Sequence, residues 1–501
     1  MTKRIVSLLM ALVMVLSLSS FACAEEDVIK QLQSTQSFDM NTNYVGKLLE
    51  EATGYKVQYD YYSDDNQLAL EMASGTTYDI VAMKPAMYQT LLAQGALKDI
   101  SGLLENFPGI REAISDLGWT YVTADDGAIY GIPQVDDAVY AGGIGYRTDI
   151  FADHGYAEAN TPEEFYNLLV AIKNDTGLIP MTGNGGWQAE IASGFGLSYD
   201  FIIDEETDTV ISKLRQPGMK EYLVYMNKLY TEGLIDPDWP INTGDNINEK
   251  MGSGKAVMTY AAHWSTLNWV NALVDNGDAD AYFKTIVPLA DANGDRHIAV
   301  SNGVSTLHAI PVTASDEDAM KTLAMVESRL KEEIYWLFND GIEGTHYTKD
   351  EAGLPMPILP IFNEDMGNGH MYQIGRNQYA HPITWMARVH KTQVQWDTFY
   401  DSNSKAAAFG FEGNPMTFAQ FPEYTEYSSA LSTMVNDYCL QVIAGTESID
   451  SYDDFVAEWE AAGGLELEEA ATAWYKANPG LVEAARNSTS PYNEVFGYTI
   501  K

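Results

Sequence analysis

Cysteine is nearly absent. The 501 residues contain two, Cys23 and Cys439, so neither a disulfide framework nor a cysteine-built metal centre can hold the fold together. Basic residues are also scarce, with 29 Lys and Arg against 71 Asp and Glu, a formal charge of −42. Nucleic acid and anionic membrane surfaces both need basic patches, so this balance argues against either as a partner, and against a polyanionic ligand. A catalytic signature is missing too. The eight histidines (154, 263, 297, 308, 346, 370, 381 and 390) form no His-Glu-x-x-His, and there is no Gly-x-Ser-x-Gly and no phosphate loop. Met251-Gly-Ser-Gly-Lys255 lacks the spacing and the hydroxyl that a phosphate loop requires.

Only one long apolar run exists, and it stands at the start. Lys3 and Arg4 precede Ile5 to Leu18, and small residues follow up to Ala24. This is the pattern of a secretory leader, too short for the ~20 residues of a membrane span. Ala22-Cys23-Ala24 fits cleavage before Glu25. The other outcome is lipidation of Cys23, although Ser20 stands where a lipoprotein signal usually has Leu. Either way the product is expected to be exported, extracellular or at the cell surface. Without residues 1–24 it carries 71 acids and, lacking Lys3 and Arg4, 27 bases. A hydrophobic content of 46% supports globular folding, and the length of 501 residues suggests two large lobes or about three domains.

What is present alternates strand and helix. Tyr44, Val45, Leu48, Leu49 and Ala52 share a helical face that Asn41 or Thr42 can cap and Gly54 can end. Val57, Tyr59 and Tyr61 alternate as in a strand, and a short helix covers Leu68 to Ala73. Tyr78 to Met83 is an apolar run stopped by Lys84-Pro85, after which a helix carries Tyr88, Leu91 and Leu92. The β-α-β-α order predicts a mostly parallel sheet covered by helices, with ligands held where strands end. Further on, a turn at Asp125-Asp126-Gly127 separates Tyr121-Val122 from Ile129-Tyr130, and Val139 to Tyr146 reads as a strand. Thr161-Pro162-Glu163-Glu164 opens an amphipathic helix, and Ser315 to Asp318 caps another running to Ile334. Asp291 to Arg296 reads as a hairpin turn. Its Asp291, Asn293 and Asp295 alternate like calcium ligands, but Gly294 stands at loop position 4 and Asn302 replaces the bidentate Glu. The alternatives are a calcium loop and a solvated turn. The last third, from about Tyr424, is helical.

The segment MASGTTYDIVAMKPAMYQTLLAQGALKDI, residues 72–100, resembles extracellular solute-binding proteins. DGAIYGIP, GGIGYRTDIF, TPEEFYNLLVAIK, LYTEGLIDPDW and MGSGKAVMTYAAHW follow in the order of that family. NDGIEGTHYTKDEAGLP is similar to the large LipO-like lipoprotein subgroup of ABC sugar importers. The similarity runs over residues 35–475. It implies an α/β, two-lobed periplasmic-binding-protein-like fold (type II) with a hinge and an α-helical C-terminal region. The ligand lies in the inter-lobe cleft and stabilises closure. The expected division is residues 1–24 as leader, 25–141 plus 305–350 as the first lobe, and 142–304 plus 351–501 as the second. The strands Gly142–Tyr146 and Val304–Pro311 are the expected crossings. The resemblance further implies an ABC permease as partner, a monomer, no cofactor and no catalysis.

A sugar ring has an apolar face that stacks on an aromatic ring and a polar edge that takes hydrogen bonds. Tyr and Trp, with 31 and 10 copies, combine both characters. Aromatic residues in strand-end loops with small or polar neighbours are therefore the expected ligand contacts. These are Trp187 with Asn184 and Gln188, Trp264 with Trp269, Tyr88 with Lys84, and Glu343 and His346 in a glycine-bracketed loop. Asp39, Asn41 and Asn43, at the start of the first helix, face the cleft or cap that helix. Asp136 and Asp137 accept sugar hydroxyls or lie in a solvated loop. Two other readings are open: a secreted carbohydrate-active enzyme with paired cleft carboxylates, and a binder of a peptide or other solute.

Overall fold

A computed structural model describes residues 28–486 apart from 125, 137–139, 141 and 301–302. The leader, Cys23, Asp137 and Asn302 lie outside the described residues.

Two sheets organise two hydrophobic cores. The first sheet has the strand order Lys56–Tyr62, Val28–Ser34, Ile80–Met83, Val304–Ala309, Ile132–Val135. Its first three strands are parallel, and Val304–Ala309 runs antiparallel to both neighbours. The second sheet has the order Phe283–Ile286, Gly142–Arg147, Ala256–Ala262, Ile179–Met181. Gly142 and Gly145 let the Gly142–Arg147 strand press against Ala261, because a Cβ at either would strike that neighbour. The two strands expected to cross between lobes each lie wholly in one sheet.

Local signals read in the sequence explain much of this architecture. Thr161 caps the helix Pro162–Thr176, which buries Phe165, Leu168, Leu169 and Ile172. Ser315 caps Asp316–Leu330, and a separate helix, Glu332–Asp340, takes Ile334. The helix Tyr44–Thr53 ends at Gly54 in the left-handed region, φ 74°, and of the expected caps it uses Asn43, which accepts from Val45 N–H. Tyr121 and Val122 end the helix Asp116–Val122, and the chain then reverses so that Thr123 bridges Ile129. The Asp291–Arg296 turn is not a hairpin, since the strand before it pairs with Gly142–Arg147 and the strand after it, Ala299–Val300, pairs with Glu412–Gly413. One oxygen of Asp291 accepts from Asn293 and Asp295 N–H, which engages that carboxylate within the turn.

Packing divides the chain differently from the expected boundary at 350/351. Phe362, Met366, Tyr372, Ile374, Ala380 and Ala387 bury themselves in the first core, with Leu32, Ile80 and Leu307. The chain therefore still packs in the first core at residues 362–387, while Met386 and Val389 join a separate cluster with Val300 and Phe399. The next helix, Gln393–Ala407, is tied to the second sheet: Asp397 accepts from Tyr282 and Asp401 from Thr285. The C-terminal helices Pro422–Ala444, Tyr452–Trp459 and Leu465–Ala477 add Leu431, Tyr438, Phe455, Trp459 and Leu467 to the second core.

Candidate functional site

Where the two lobes face each other, a cavity of about 430 Å3 opens. Its second-lobe wall is the first turn of the helix His263–Asp275, which follows directly on the strand Ala256–Ala262 and presents Trp264, Leu267 and Asn268. Its first-lobe wall is Leu359, Asn363, Gly367 and Asn368, which flank the core residues Phe362 and Met366. Lys391, Thr392 and Gln395 close it where the chain leaves the first lobe. The size falls within the roughly 300–1,000 Å3 of small-molecule sites.

Each wall is held from behind. Thr266 and Thr398 hydroxyls hydrogen-bond at 3.0 Å inside the protein, locking the Trp264 helix to Gln393–Ala407. His263 is buried below Trp264, ring centroids 4.8 Å apart, and meets Phe399 edge-on. Burial, and then the charge of Lys391, push the His263 pKa down to about 4, so the ring is neutral. On the other wall the buried Arg388 guanidinium donates to the carbonyls of Gly367, Asn339 and Met366. That fixes the loop carrying Asn363 and Asn368. Gly369 is required there, because a Cβ would collide with the Phe338 carbonyl. Thr392 caps its helix by accepting from Gln395 N–H at 3.2 Å.

Trp264 is 55% exposed, a large indole left open to the cavity. Among the described residues it is the one sequence-expected contact that lines this cavity. Trp269 is 3% exposed and packs on Phe283, its indole donating to Asn248, so it is a core residue and not a ligand contact. Tyr88 is 0% exposed within the first core, which corrects its expected role as well. His346 is 1% exposed, accepts from Ile342 N–H and pairs with Asp365, so it braces its own loop. Gln188 is buried and donates to the Gly186 carbonyl, while Asn184 accepts from Gly186 N–H. Trp187 is half-buried, 4.8 Å from Tyr222, with the Lys213 ammonium 4.0 Å above its ring. Asn41 exchanges hydrogen bonds with Tyr59 N–H and C=O along the sheet edge. Asp39 accepts from the Asn41 backbone N–H, which lowers its pKa. Asp136 pairs with Arg376 at 3.8 Å, Glu343 pairs with Lys349, and Lys84 is exposed at the end of its strand.

Residues 359–395 were missed by the sequence reading. Their one local signal is the glycine-bracketed Gly367-Asn368-Gly369.

The geometry, a cavity between two lobes at a strand's carboxyl end, matches what sequence comparison finds. The profile of a family described as bacterial extracellular solute-binding protein matches residues 45–329. The chain belongs to this family. It is 23% identical to Lipoprotein LipO of Bacillus subtilis over 84% of this chain and 86% of LipO. Among solved structures it shares the fold of the alginate-binding protein AlgQ2, with TM-score 0.67 and 18% identity over 90% of this chain and 98% of AlgQ2. It also shares that of FusA, an ABC-transporter substrate-binding protein of S. pneumoniae in complex with kestose. There the TM-score is 0.67 and the identity 16%, over 90% of this chain and 99% of FusA.

Proposed function

We propose that this protein is the substrate-binding component of an ABC importer and captures an oligosaccharide in the inter-lobe cavity. The observation that carries the reading is the cavity itself. An exposed indole stands on one lobe, side-chain amides stand on both, and the whole is braced by buried hydrogen bonds. Trp264 offers a flat face for a sugar ring, and Asn268, Asn363, Asn368 and Gln395 offer both donors and acceptors for its hydroxyls. The sugar ligands of AlgQ2 and FusA, proteins of the same fold, support the class.

The chain does no chemistry on its guest. It shifts between open and closed arrangements, and a ligand touching both walls favours closure by its differential affinity for that state. The closed monomer then docks on a membrane permease. A thermal-shift and calorimetric screen of oligosaccharides and peptides tests the reading. Stabilisation by at least one oligosaccharide, recovered intact, is the expected result; stabilisation by peptides alone, or recovery of a shortened sugar, overturns it. The kinship with a lipoprotein supports attachment through Cys23 as the rival to cleavage before Glu25. The intact mass of the exported chain distinguishes a diacylated Cys23 from a free Glu25.

A further inference from the structure

The cavity wall carries a single charged side chain, Lys391. In a chain with 71 acids and 29 bases, a cation near the surface has carboxylates in easy reach. Several lysines and arginines here do find one: Lys250 pairs with Asp236, Lys405 with Glu158, Arg215 with Glu468. Lys391 is half-buried and shows no such pair among the described residues. Its ammonium lies 5.9 Å from the Phe362 ring centroid, and the ionised neighbour that acts on it is another cation, Arg388. Arg388 itself is turned away onto the three backbone carbonyls of the 339–367 region. The nearby imidazoles of His263 and His370 are neutral, both pushed down by burial, to about 4 and about 3.

A half-buried ammonium without a counter-ion is costly unless something supplies the negative charge. Lys391 stands at the point where the chain leaves the first lobe, beside Thr392 and Gln395 and across from Trp264 and Asn268. From this geometry we propose that the guest is an acidic oligosaccharide, and that Lys391 receives the carboxylate of a uronic acid residue while Trp264 stacks on a ring. The inference rests on the carbohydrate reading and narrows it. The net charge of −42, which argues against a long polyanion, acts on a short acidic guest mainly from a distance. Repulsion from distant surface carboxylates is screened beyond a Debye length of about 8 Å, whereas the contact pair at Lys391 is local and partly desolvated.

The test is calorimetric titration with short galacturonate and mannuronate oligomers, each compared with its methyl ester, and with maltotriose and kestose as neutral controls. The wild-type chain is expected to bind at least one acid about tenfold more tightly than the matching ester. Lys391→Gln weakens acid binding about tenfold and ester binding by less, which removes most of that preference, and Lys391→Arg restores part of it. Melting curves show that each variant is folded. Acid and ester binding equally, or neutral sugars binding alone, overturns the acidic guest and leaves oligosaccharide capture standing. An acid preference that survives Lys391→Gln overturns the assignment to this side chain. If no sugar of either kind binds, the carbohydrate reading falls, and this inference with it.

Discussion

The helix His263–Asp275 has two sides with opposite fates. Trp264, Leu267 and Asn268 look into the cavity. His263, Thr266, Trp269, Val270 and Leu273 are buried against the protein. Both sides carry a tryptophan, and both tryptophans follow the same strand end, yet one is open and the other is core. At about 100° per residue, five positions separate the two indoles by about 140° around the axis. A helix that seats one of them in a wall must turn the other away. Residue type alone does not mark a binding site; a binding residue is one whose apolar face or polar group the fold leaves unengaged.

Replacing the inner tryptophan should give the largest effect. Trp269→Ala removes an indole packed on Phe283 and leaves Asn248 without its donor, so a loss of about 3–5 kcal/mol in unfolding free energy is expected. Trp264→Ala should change stability by within about 0.5 kcal/mol, because the side chain is exposed, while weakening oligosaccharide binding about tenfold or more. Denaturant titration and calorimetry on the two variants check the contrast. If Trp264→Ala binds as tightly as the wild type, the outer face is not a sugar platform.

The same contrast explains what could be read in advance. Helix limits and faces were legible where local chemistry sets them, as at Thr161-Pro162, Ser315 and Gly54. The family was legible from the order of short segments along the chain. The division of the lobes was legible only in part. The packing of residues 362–380 in the first core depends on Phe362, Met366 and Tyr372 joining Leu32 and Ile80, segments some 300 positions apart. Nothing local to an apolar side chain says which of two cores it will enter. The site suffered in the same way. Tyr88, Asn41 and His346 have suitable chemistry at suitable strand ends, but their groups are buried or bonded within the fold. Asn363 in the short helix Phe362–Met366, and Asn368 and Lys391 in irregular segments, become a wall only when the second lobe faces them. Helical geometry could have separated Trp264 from Trp269 without a structure. No comparable rule reaches across the lobes.

The smaller effect on this helix is a pH dependence. His263 is neutral in the folded chain, with its pKa pushed down to about 4 by burial and by Lys391, and its Nδ1 has no hydrogen-bond partner. Unfolded, the ring titrates near its ordinary value of about 6.5. Below that value the unfolded state takes up a proton that the folded state refuses, so stability falls as pH drops from about 6.5 toward 4, at up to about 1.4 kcal/mol per pH unit. Between pH 7 and 5.5 the contribution of this one group is about 1 kcal/mol. His263→Phe keeps a ring against Phe399 and has nothing to titrate. Its stability should therefore vary less steeply over that interval, by about that amount, when both proteins are unfolded in urea across the pH series. Parallel slopes for the two proteins would mean that His263 is solvated and charged in the fold. The floor beneath Trp264 would then not be the dry, fixed support described for the cavity wall.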